Sequence, residues 1–65
     1  MKNKISEFRK AQKLTQPQLA EKLGYTNYQV IQQIELGKRT PAVDTAMRIA
    51  RALNTTVEEL FELED

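Results

Sequence analysis

The sequence predicts an all-α domain of five short helices, and three observations carry that prediction. Only two glycines and two prolines interrupt its 65 residues. Apolar residues recur three and four positions apart, without the β-branched alternation of strands. Thr15 with Gln18, and Thr56 with Glu59, stand at capping-box spacing in front of apolar runs. A chain of this length makes one domain, residues 1–65, with a modest core.

The elements follow in order. The first helix, roughly 2–13, carries Ile5, Phe8 and Ala11 on one face, with its lysines and arginine elsewhere. The second opens at Thr15, where Pro17 fits a first turn that needs no amide donor. Leu19, Ala20 and Leu23 form its apolar stripe, and Gly24 ends it as a left-handed residue. The third runs over about 27–36, with Ile31 and Ile34 inward and Gly37 as its stop. After a loop closed by Pro41, the residues Val43, Met47, Ala50 and Leu53 mark the fourth, and Asn54 suits its end. Thr56 opens a fifth, with Val57, Leu60 and Phe61 inside.

Composition removes several function classes. With no cysteine there are no disulfides and no thiolate metal sites; with no histidine, the usual general base and imidazole ligand are missing. No glycine-rich phosphate loop accompanies the nine acidic residues. An enzyme is not expected, nor a metal or cofactor. Nothing reads as a signal peptide or membrane span, so a reducing, cytoplasmic setting is expected. The net charge is only +1, yet it is sorted along the chain. Residues 1–14 carry five basic residues against Glu7, a balance of +4; residues 15–40 balance at +1; residues 41–65 set Arg48 and Arg51 against six acids, a balance of −4. Such polarity suits a body that turns one end toward an anion, although ordinary solvated charge explains it as well.

The stretch 24–41, GYTNYQVIQQIELGKRTP, surrounds two isoleucines with three glutamines and closes on Gly-Lys-Arg. A helix that needed only solubility would use Glu and Lys. The pieces LTQPQLAEKLG at 14–24, IQQIELGKRTP at 31–41 and DTAMRIARALNTTVEELF at 44–61, with Phe8-Arg9 before them, resemble the phage repressor and Cro type of helix-turn-helix domain, the XRE family. The resemblance covers nearly the whole chain in order and spacing.

It implies a lambda-repressor-like fold whose second and third helices form the helix-turn-helix, with the third laid in the major groove of DNA. A glutamine amide can donate to and accept from adenine at once, whereas Glu would be repelled by phosphate and Lys would bind it indiscriminately. Carried onto this sequence, the base-facing positions are Tyr28, Gln29, Gln32 and Gln33, and the helix cap falls on Asn27. Phosphate contacts are expected from Gln16, Asn27, Lys38, Arg39 and Thr40, with Lys10 and Lys13 as weaker candidates. The alternative for each is a solvated polar face. Arg9 and Glu35 are expected to form a structural ion pair that fixes the third helix against the first. Ten residues separate Gly24 from Glu35 where many relatives have nine, so a rival cap, Thr26 with Gln29 and Tyr25 stapled to Val30, stays open.

The resemblance further implies a homodimer on a palindromic or near-palindromic operator, joined through the C-terminal region with Leu63 and Phe61 involved. The function expected is a sequence-specific regulator of transcription, a repressor. The alternative is a protein-interaction module, antitoxin-like or an adaptor, built on the same scaffold and needing an apolar patch.

Overall fold

The computed structural model describes residues 3–61. It contains five helices: α1 (Ile5–Ala11), α2 (Gln16–Lys22), α3 (Gln29–Glu35), α4 (Val43–Ala52) and α5 (Val57–Leu60). Ile5, Leu19, Leu23, Ile31, Ile34, Ile49, Leu53, Leu60 and Phe61, with three alanines, form one buried core. Each large aliphatic side chain removed from water contributes about 1.5–3 kcal/mol. None of the helices would persist alone at these lengths, so packing holds them. None is long and apolar enough to cross a membrane.

α1 is shorter than the spacing predicts, because its first residues are recruited elsewhere. Lys4 N–H donates to the Leu60 carbonyl (2.7 Å) and Asn3 pairs with Phe61 in an antiparallel bridge. The Asn3 side chain accepts from Ile5 N–H (3.2 Å) and donates to the Ile34 carbonyl (2.7 Å). Ala11, expected inside, is exposed. α2 begins as expected: Thr15 Oγ1 accepts from Gln18 N–H (3.2 Å) while Gln18 Oε1 accepts from Thr15 N–H (2.8 Å). The second box is half formed. Thr56 Oγ1 accepts from Glu59 N–H, but the Glu59 carboxylate accepts from the Thr55 hydroxyl (2.9 Å).

α4 differs from its expected face. Its buried residues are Ala46, Ile49, Ala50 and Leu53, whereas Val43 is 77% and Met47 51% exposed. The i, i+3, i+4, i+7 row that meets the core starts at Ala46. Val43 and Met47 lie on a neighbouring row that no described element covers.

α1 to α4 share one ending. A residue in the left-handed region (Lys13 φ 60, Gly24 φ 85, Gly37 φ 78, Asn54 φ 56) follows each helix. The amide after it bonds back five residues: Leu14 to Arg9, Tyr25 to Ala20, Lys38 to Gln33 and Thr55 to Ala50, at 2.9–3.1 Å. This is the Schellman arrangement, which satisfies carbonyls that a helix end leaves open. Side chains from other elements take further carbonyls: Arg48 donates to Leu23 O, Gln12 to Leu53 O and Asn3 to Ile34 O.

Candidate nucleic-acid interface

Ile31 and Ile34 are each 1% exposed and seat α3 on the core. At 3.6 residues per turn that placement turns Gln29, Gln32 and Gln33 outward, and all three are exposed. Tyr28, just before the helix, is 43% exposed. The start of α3 differs from both caps left open by the sequence. Asn27 Oδ1 accepts from Gln29 N–H (3.1 Å), and the first backbone bond runs from Gln32 N–H to Tyr28 O (3.0 Å). The residue at the cap position is therefore Tyr28, whose side chain makes no capping bond, and Asn27 supplies an Asx-turn bond from one residue ahead. Tyr25 and Val30, the staple residues of the rival cap, are partly buried against the core. Asn27 spends its oxygen on the Gln29 amide and keeps its Nδ2 donors.

Lys38, Arg39 and Thr40 follow the left-handed Gly37 and are exposed. Lys38 N–H bonds to Gln33 O (2.9 Å), so this loop leaves directly from the last turn of α3. Among the described residues no carboxylate stands within ion-pair distance of Lys38, Arg39, Lys10 or Lys13. Unpaired among the described residues, these cations can meet an anion.

Arg9 and Glu35 form the expected pair: Nε donates to Oε2 at 2.8 Å and Nη2 to Oε1 at 3.3 Å, with side chains 10% and 7% exposed. Arg9 Nη1 also donates to Leu14 O (2.7 Å). Sequence reasoning missed the third partner. Gln16 Nε2 donates to Glu35 Oε1 (3.2 Å), tying the opening residue of α2 to the closing residue of α3. Nineteen positions separate the two residues, and no local signal links them.

The expected dimer residues fare differently. Phe61 is 5% exposed in its own chain, packed in the core and bridged to Asn3, so its ring is not available to a partner. Leu63 lies outside the described residues. The apolar surface at that end is instead an open groove between α4 and α5, lined by Val43, Met47, Ala50, Arg51, Val57 and Glu58. No periodic signal set Val43 and Met47 apart, because 43, 46, 47 and 50 make as good an i, i+3, i+4, i+7 row as 46, 49, 50 and 53.

The helix-turn-helix family model matches residues 5–60. An uncharacterised HTH-type transcriptional regulator of Methanocaldococcus jannaschii is 42% identical over all of this chain and 97% of its own length. One from Archaeoglobus fulgidus is 38% identical over all of this chain and 91% of its own, and YgzD of Bacillus subtilis 35% over all of this chain and 97% of its own. Among solved structures, the restriction-modification controller protein C.AhdI of Aeromonas hydrophila superposes with a TM-score of 0.80 at 29% identity, over 89% of this chain and 86% of that one. With the capped second helix, the glycine turn and the amide-faced third helix in place, the chain belongs to the helix-turn-helix family.

Proposed function

We propose that the chain is a sequence-specific regulator of transcription, a repressor, that lays α3 in the major groove of duplex DNA. The observation that carries this reading is the division of α3: isoleucines buried, amides and a tyrosine exposed, with an unpaired Lys-Arg loop at its end. Gln29 and Gln33, four apart, project from one side and suit adenine edges; Gln32 and Tyr28 complete the reading surface. Lys38 and Arg39 neutralise backbone phosphates, while Gln16, Asn27 and Thr40 donate to phosphate oxygens without adding charge. Arg9 is structural. The same reading makes the chain a binder and not an enzyme, acting in the cytoplasm.

A single module buries too little DNA surface for high specificity, so two copies on a palindromic or near-palindromic operator are expected, with half-sites about one turn apart. The surface that supports pairing is the α4–α5 groove. Met47 and Val43 supply apolar area, and Arg51 and Glu58 supply opposite charges that two copies could exchange across a two-fold axis.

Selection of sites from random duplexes, followed by gel shifts of Gln29→Ala, tests the reading. Loss of preference at one adenine supports it. A chain that ignores every duplex at low ionic strength sinks it, and leaves the groove as the face of a protein-interaction module.

A further inference from the structure

We propose that Glu35 is a positioning residue for DNA anchoring: it holds the Gln16 side-chain amide, and with it the start of α2, in fixed register with the reading face of α3. The proposal rests on the DNA-reading function above.

The geometry has three parts. First, the Glu35 carboxylate, at the last residue of α3, accepts from Arg9 Nε, Arg9 Nη2 and Gln16 Nε2 at 2.8, 3.3 and 3.2 Å. An ionised carboxylate only accepts, so it dictates which end of the Gln16 amide turns inward. The nitrogen faces Glu35, and its second N–H, together with the amide oxygen, is left for another partner. Second, Arg9 Nη1 holds Leu14 O at 2.7 Å. Residues 14 and 16 flank the α2 cap Thr15, so both sides of that cap are tied to one buried pair. Third, the pair is nearly closed to water, at 10% and 7% exposure, which keeps its bonds unscreened, while Gln16 is half-buried and reaches the surface.

One carboxylate therefore spans the distance between the phosphate anchor on α2 and the base readers on α3. The arrangement also accounts for the residue type at 16. A lysine there would compete with Arg9 for Glu35, whereas an amide takes one acceptor position and leaves the ion pair intact. Being uncharged, Gln16 displaces no counterion. Its contribution to binding should be nearly the same at every salt concentration, unlike that of Lys38.

Affinity for the selected operator, measured across a salt series for wild type, Gln16→Ala, Glu35→Gln and the double variant, tests the proposal. Gln16→Ala should weaken binding roughly tenfold per bound protomer, the loss of one hydrogen bond to a charged group. Its salt slope and base preference should not change. Glu35→Gln should weaken binding at least as much, and the double variant should be no weaker than Glu35→Gln alone. Losses that multiply, or an unaffected Glu35→Gln, overturn the proposal. Should Glu35→Gln fail to fold, the Gln16 side-chain amide is followed in the wild-type chain by NMR. One amide proton protected from exchange in the free protein, with both amide signals shifting on operator addition, supports the proposal. Rapid averaging of the two protons overturns it. Wild type binding no duplex overturns the DNA reading and this proposal together; wild type binding with multiplied losses overturns this proposal alone.

Discussion

The α2–α3 unit and the α4–α5 end use the same local grammar and present opposite surfaces. Both pairs join through a left-handed residue after a Schellman ending, and both bury aliphatic side chains on one row. On α3 the outward row carries amides, which lose little by facing water and gain when they meet a surface rich in donors and acceptors. On α4 the outward row carries Val43 and Met47, which gain only when another apolar surface arrives. The difference lies in what each unit is prepared to meet, and the backbone is common to both.

Several measurements would break or sharpen that contrast. The largest effect is expected at the pair beneath the amide face. Arg9→Leu leaves the Glu35 carboxylate buried without its cation and should cost about 3–5 kcal/mol in urea denaturation. Arg9→Leu with Glu35→Leu should cost far less, because no charge is then stranded. On the apolar row, Met47→Glu should weaken the proposed self-association by more than tenfold, on the order of 2 kcal/mol, by setting like charges together across the proposed two-fold axis. Sedimentation measures that loss, and urea denaturation of the monomer should shift by less than about 0.5 kcal/mol at this exposed site. If monomer stability collapses instead, the row is core and the contrast is lost.

A third effect is confined to the amide row. Gln29→Ala should lose about 1–3 kcal/mol of discrimination at one adenine and leave the salt slope alone. Lys38→Ala should weaken all sequences alike and flatten that slope by about one. The smallest change concerns the ending that the two units share with α1. Lys13 adopts the left-handed conformation that Gly24 and Gly37 adopt without a β-carbon. Lys13→Gly should therefore stabilise the chain by up to about 1 kcal/mol, seen as a higher urea midpoint with an unchanged slope.

Much of this was legible in the sequence, and the failures share a cause. Gly24, Gly37 and Asn54 announced their helix ends because their residue types favour left-handed backbone. Lys13 did not, since its conformation belongs to a helix end held by Arg9 on the Leu14 carbonyl. Ile31 and Ile34 announced the inner row of α3, and their spacing placed the glutamines outside. For α4, apolarity identified Val43 and Met47 as hydrophobic but could not say where covering neighbours stop. Ala46 and Ile49 lie on the row that is covered. Phe61 reads as an inward residue of the fifth helix and, through the resemblance, as a dimer residue; it is buried and bridged to Asn3, which keeps the first reading. The Gln16–Glu35 bond joins residues whose proximity only the folded chain creates. Periodicity and cap chemistry are local signals; coverage and long-range bonds are not.

Asn3 is the other residue whose role the periodicity hid. Its amide clasps the last turn of the reader at Ile34, while the adjoining backbone is laced to Leu60 and Phe61. Asn3 and Lys4 thus work as a strap across the molecule, and losing the Asn3 amide would slacken the DNA-facing rod from behind. For anyone building fusions, a spacer ahead of Asn3 keeps cargo clear of that strap.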